Sequence, residues 1–231
     1  MKVERKFEGT AVTGRVDLYY AVHKGIRLGN MRMLMQLGAL DPEDDVAVAA
    51  ARAALNEHLN LAYSHLVHEN REIHSAIEER CPGATHHTAE EHDHHEASFA
   101  QLRMLADELV NHVTDRSQRL RWLYQAFALF VAEDFQHMHE EETELMPLMW
   151  KHFTDAELAA IRQRIVTSLS PVMSTRFTRA ILAAGSGPER EAHVTVLSTK
   201  MPQGAFDNTM RAIVGHPWAM GNWRELERAL C

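Results

Sequence analysis

The chain has 231 residues, and its 24 Lys and Arg against 32 Asp and Glu give a formal net charge of −8. No cluster of Lys and Arg is dense enough to form a basic face, so we expect no nucleic-acid partner. No apolar run reaches the roughly 18 residues of a membrane-spanning helix, so no membrane partner is expected either. Two cysteines, and a start without the apolar segment of a signal peptide, predict a cytoplasmic protein.

The apolar residues recur with the period of an α-helix, and strand signals are nearly absent. This pattern predicts an all-α fold. Breaks at Asp41-Pro42 and Cys81-Pro82-Gly83 help to delimit four long helices over residues 14–40, 44–80, 88–116 and 117–150. Long helices with short connections indicate an up-down-up-down four-helix bundle occupying residues 1–152.

The remaining residues, 153–231, have a different texture. Thr154 and Glu157 match a capping box that opens a shorter helix. Proline and glycine breakers then recur, which predicts four or five short helices, the last over residues 222–230. We expect this C-terminal extension to pack on the bundle rather than to form an independent domain.

An internal repeat picks out the candidate site, because residues 65–75 and 137–147 share the pattern His-x-x-x-Glu. His65 and Glu69, like His137 and Glu141, are four residues apart and so lie about 40° apart on one helix face. On the fourth helix Glu141 falls inside the apolar stripe, where a carboxylate is costly unless it is paired or binds a metal. The alternative ligand Glu144 stays open.

The first and third helices form a second matching pair. Identical offsets to apolar residues equate His92 with His23, while His95 occupies a core position one turn later. The choice between His92 and His95 stays open. Each long helix thus carries one inward imidazole, and the second and fourth add a carboxylate. Such a set suits two metal ions, and imidazole with carboxylate fits iron, manganese or zinc.

Other polar residues near the apolar stripe have two interpretations each. Asp134 is either an acceptor that orients an imidazole or a polar residue at the end of the bundle. His58 is favoured as a core or rim residue, and Tyr19 as core. Within the run of residues 140–142, the period predicts that only Glu141 turns inward.

These motifs resemble the haemerythrin-like (HHE) cation-binding family of the bacterial type. The matching segments are VHKGIR, HLVHE, EEHDHHE and HMHEEETELMP, within residues 12–152. The resemblance implies a four-helix bundle holding two iron ions in a non-haem di-iron centre. The ligands that it implies are His23, His65, Glu69, His92, His137 and Glu141, with His95 as a candidate additional ligand.

The expected function is to bind or react with a small ligand such as O₂, NO or peroxide, in sensing or stress response. The pattern is closer to bacterial members associated with such roles or with iron–sulfur repair than to the invertebrate oxygen carriers. Two alternatives stay open: iron storage, delivery or repair without turnover, and a metal-free helical scaffold. The sequence leaves the native metal, the redox partner, the oligomeric state and an enzymatic role undecided.

Overall fold

The computed structural model describes residues 14–111 and 114–231, and within those ranges every regular element is a helix. The predicted all-α class is therefore confirmed for the described chain, in which no helix is long and apolar enough to cross a membrane. In chain order the α-helices are α1 Tyr20–Gly38, α2 Asp45–His68, α3 Ser75–Arg80, α4 His86–Asn111, α5 Arg116–Glu140, α6 Met146–His152, α7 Asp155–Ser168, α8 Pro171–Ala184, α9 Gly187–Lys200, α10 Gln203–Val214 and α11 Trp223–Leu230.

Two π-helical segments interrupt the α-helical hydrogen bonding without ending the helix. Glu69–His74 joins α2 to α3, and Glu141–Leu145 joins α5 to α6. Helices of this kind make up well under about 1% of residues in proteins and are frequent at functional sites. Each segment begins at one of the two carboxylates that the sequence places in the core.

Two predicted helix boundaries are wrong. The first helix begins at Tyr20 rather than at Gly14, whose φ of +66° is not helical, and the Asp17 carboxylate accepts a hydrogen bond from the Tyr20 backbone N–H. The third helix, which is described as far as Asn111, does not continue to residue 116, because residues 114–115 form a turn. Asp115 has a φ of 61°, a left-handed conformation that Asp tolerates better than most residues and that separates α4 from α5.

The four long helices enclose a common apolar core. α1 packs against α2 and α5, and α4 packs against the same two helices. A second apolar cluster, beyond the first, joins α3 and α6 to α7. On its helix Glu69 falls between Leu66 of the first cluster and Ile73 of the second, so the predicted site forms a polar layer between two apolar ones.

The C-terminal extension begins with the predicted capping box, in which Thr154 and Glu157 exchange hydrogen bonds. It contains five short helices, α7 to α11, and α8 packs along α1. The two helices approach closely at Gly25, where a Cβ atom would lie 2.9 Å from the carbonyl carbon of Ala180. The absence of a side chain at Gly25 therefore sets the distance between the extension and α1.

We expect Gly25→Ala to lower the free energy of unfolding by about 1–2 kcal/mol. The added methyl group overpacks the contact with α8, and the higher helix propensity of alanine offsets only part of that penalty. Gly204→Ala is the matched control, because a Cβ atom there meets nothing within 4 Å. Urea denaturation of the metal-free variants checks the difference. Equal stability of the two variants would contradict the close packing of α8 on α1.

Candidate metal centre

The six predicted ligand residues converge in the polar layer between the two apolar clusters. The long helices α1, α2, α4 and α5 each contribute one imidazole, and each π-helical segment contributes its first residue, a glutamate. Five of the six are buried and His65 is half-buried. The residues are His23, His65, Glu69, His92, His137 and Glu141.

One half of this layer is built from α1 and α2. The Nε2 atoms of His23 and His65 lie 3.1 Å apart. Glu69 Oε1 lies 3.0 Å from His65 Nε2 and 3.4 Å from His23 Nε2. The two imidazoles and the carboxylate therefore point at one small volume.

The other half is built from α4 and α5, and the two carboxylates connect the halves. His92 Nε2 and His137 Nε2 lie 2.9 Å apart, with Glu141 Oε2 at 3.4 Å from His137 Nε2. Glu69 Oε2 reaches within 3.7 Å of His92 Nε2, and Glu141 Oε2 within 3.4 Å of His23 Nε2. Each glutamate thus faces imidazoles of both halves.

These separations match those around a metal ion. Bonds of about 2.0–2.2 Å from a metal to nitrogen or oxygen place neighbouring ligand atoms about 3.0–3.5 Å apart. The ligand atoms of Glu69, His92, His137 and Glu141 all lie within 4.8 Å of one another, as do those of His23, His65 and Glu69. This buried His/Glu group could hold a metal ion.

Oxygen acceptors outside the centre fix the orientation of three of the four imidazoles. In each case the Nδ1–H group donates to a side-chain oxygen, which leaves the Nε2 lone pair directed into the centre. The pairs are His23 with Glu142 at 3.0 Å, His92 with Asn70 at 2.7 Å and His137 with Glu91 at 2.8 Å. The lone pairs of His92 and His137 then repel each other unless a proton or a metal cation lies between them.

Electrostatics in the layer favour bound protons when no metal is present. Burial opposes protonation of His23, but hydrogen bonds to Glu142 and Glu69 and the charge of Glu141 outweigh it and raise its pKa from 6.5 to about 10. Burial, reinforced by the negative charge of Glu69, raises the pKa of Glu141 from 4.5 to about 8. Burial lowers the pKa of His92 to about 2. A metal cation must therefore displace protons from His23 and Glu141.

Several buried polar atoms have no hydrogen-bond partner among the described residues. They include both carboxylate oxygens of Glu141, both ring nitrogens of His74 and the hydroxyl of Tyr19. An unpaired buried polar group costs about 1–3 kcal/mol. Burial raises the pKa of Tyr19, and the negative charges of Glu141, Glu69 and Asp17 add to the effect.

The structure separates His92 from the alternatives that the sequence left open. His95 is buried but packs edge-on against His137, with ring centroids 5.0 Å apart, and lies outside both groups of mutually close ligand atoms. Glu144 and His139 are exposed. On α4 it is accordingly His92, not His95, whose ring nitrogen belongs to a group of mutually close ligand atoms.

Asp134 fits neither of its two interpretations. Its carboxylate accepts a hydrogen bond of 2.6 Å from the amide of Asn30, and the Asn30 oxygen accepts one of 2.6 Å from His58. The prediction that only Glu141 of residues 140–142 turns inward is wrong, since Glu142 is half-buried and binds both His23 and Arg27.

Helical periodicity in the sequence does not predict His74 or the three outer acceptors. Asn70, Glu91 and Glu142 lie off the helix faces that carry the imidazoles, and each binds an imidazole from a different helix. No signal within a single helix identifies such partners. His74 is missed because it ends a π-helical segment, where α-helical periodicity does not apply.

A further cluster lies at the surface beside the centre. His87 Nε2 lies 3.7 Å from Glu91 Oε1 and 3.6 Å from Glu140 Oε2. The other oxygen of Glu91 is the acceptor for His137. Glu91 therefore links an exposed His/Glu group to the buried one.

Comparison with known proteins finds no matching family model, no matching curated protein and no matching solved structure. The resemblance to the haemerythrin-like family stays a prediction from sequence motifs. What the chain binds must be argued from its own residues.

We expect Zn²⁺ binding at pH 7 to release about two protons per chain, because neutral imidazole and ionised carboxylate are the forms that bind metal. The raised pKa values of His23 and Glu141 mean that affinity increases with pH between about 6 and 8. Calorimetry in two buffers of different ionisation enthalpy measures the proton count. Binding without proton release would show that the metal does not reach these two residues.

Glu91→Ala should weaken metal binding about 10–100-fold, because an outer acceptor orients its imidazole and raises its basicity. Glu90→Ala is the control. Glu90 is the sequence neighbour of Glu91, is exposed, and pairs only with His86 in the described structure. Metal titration with a competing chelator measures both affinities. Equal metal affinities of the two variants would show that Glu91 does not orient His137.

Proposed function

We propose that this chain is a haemerythrin-like non-haem di-iron protein that binds or reacts with a small ligand such as O₂, NO or peroxide. In this proposal the four long helices form an up-down-up-down bundle, with the extension packed on it. The observation that carries it is the position of Glu69 and Glu141, each of which faces imidazoles of both halves of the centre. Two carboxylates so placed suit a bridged pair of ions.

The donor set supports iron as the metal, with manganese or zinc as alternatives. Four imidazoles and two carboxylates offer nitrogen and oxygen ligands of the kind that iron prefers, and cysteine sulfur is absent from the layer. The orphaned oxygens of Glu141 fit a bound cation. Two iron ions held there would supply the redox chemistry and the coordination position for the small ligand.

The cavity beside the centre supports a small ligand rather than an organic substrate. Its volume is about 10 Å³, close to the smallest space that holds one water molecule. Apolar and polar side chains share its lining: Ile26, Ala62, Leu66, Phe99 and Met138, and His65, Glu69, His92, His95, Asp134 and His137. The protein residues thus orient the ligands and limit what can enter.

Iron storage or delivery is a second candidate, favoured by the surface cluster of His87, Glu91 and Glu140. Half-buried carboxylates next to an exposed imidazole suit a cation in transit, and Glu91 joins this cluster to the buried centre. A storage or delivery protein would bind iron at both places without reacting with O₂.

Protein purified without oxygen should contain about two irons per chain and change its near-ultraviolet absorption when air is added. Glu141→Ala should abolish that change, because it removes one of the two shared carboxylates. Glu144→Ala, on the exposed side of the same segment, is the matched control.

Three results would contradict parts of the proposal. Folded protein that takes up no iron excludes both the di-iron and the storage function. Iron that shows no response to air favours storage. A Glu141→Ala variant that keeps the response shows that Glu141 is not a shared ligand.

A further inference from the structure

His74 is a buried histidine for which the described residues offer no hydrogen-bond partner. The residue is 5% exposed, and neither ring nitrogen forms a hydrogen bond. A neutral imidazole has one N–H donor and one acceptor nitrogen, and leaving both unpaired in a core is unfavourable. Simple packing therefore does not explain a histidine at this position.

The ring of His74 lies against the proposed metal centre. It stacks on the ring of His92, with centroids 4.9 Å apart and an interplanar angle of 7°. Its Nε2 atom lies 3.7 Å from Glu141 Oε1, and the same oxygen lies 3.8 Å from His92 Nε2. Two parallel imidazoles thus approach one carboxylate oxygen.

The π-helical segment explains how this residue reaches the centre. In an α-helix His74 would lie about 140° around the axis from Glu69 and about 180° from His65. The i→i+5 hydrogen bonding of a π-helix instead brings residues five apart towards one face. Glu69 and His74 are the first and last residues of the segment and are five apart.

We propose that His74 is a metal ligand, which supplies a third imidazole to the ion bound by His92 and His137. His74 lies outside the set of mutually close ligand atoms and borders it through Glu141 and His92, so binding draws its ring inwards. The inference rests on the proposed function, because it requires a metal in the buried layer. It assigns the additional ligand to the second helix rather than to His95.

A ligand role for His74 would also make the two metal ions unequal in their number of imidazole ligands. The ion between α4 and α5 has three imidazoles, whereas the ion between α1 and α2 has His23 and His65. Removing His74 should therefore affect the binding of one ion and spare the other.

The test is a Co²⁺ titration of the full chain and of two matched variants, His74→Gln and His95→Gln. Both histidines are buried, and the ring of each contacts an imidazole of the half built from α4 and α5. We expect His74→Gln to bind one of its two ions as tightly as the unmodified protein does and the other about tenfold or more weakly. His95→Gln should keep both affinities. Free imidazole should restore the weakened affinity in His74→Ala.

Proton NMR of the Co²⁺-loaded unmodified protein gives a test that needs no folded variant. A metal-bound His74 adds one shifted imidazole N–H signal to those of His23, His65, His92 and His137. Unchanged affinities in His74→Gln, an equal loss in His95→Gln, or the lack of the extra signal would overturn the ligand role. Two-ion binding with no extra signal leaves the proposed function standing, whereas no Co²⁺ uptake overturns both.

Discussion

The rest of this structure depends on burying Glu69 and Glu141 next to each other inside an apolar helical core. Removing an ionised carboxylate from water costs several kcal/mol even after relaxation, and two adjacent ones repel. The surrounding imidazoles offset this cost only when a cation accompanies them, either protons or metal. A metal-free scaffold has no need for such an arrangement, because apolar residues of similar size would fill the same space without the penalty.

The helices are arranged to hold this layer in one geometry. Apolar clusters on both sides fix the depth of the imidazoles, and the outer acceptors fix their rotation. Glu142 illustrates the second role, since it binds the Nδ1 side of His23 while Arg27 pairs with the same carboxylate oxygen. The extension adds a third constraint, because α8 packs along α1 two residues beyond His23.

Helical periodicity could predict the fold class and the inward residues, but not their partners. The apolar stripe on α5 placed His137 and Glu141 together, and the structure brings them within 3.4 Å. The α-helical period does not predict the inward position of His74, because the extra residue in the π-helical turn rotates the side chains that follow it around the helix axis. Asn70 was missed for another reason: its role is defined by an imidazole on α4, and contacts between helices leave no periodic trace in either sequence segment.

Solvent exposure at the centre is concentrated at one candidate ligand. The His65 side chain is 14% exposed, whereas those of the other five are at most 4% exposed. The small cavity does not single out one half of the centre, because His65, His92 and His137 all line it. Under the proposed function, a small ligand in that cavity would therefore lie against residues of both halves, with His65 as the side chain nearest water.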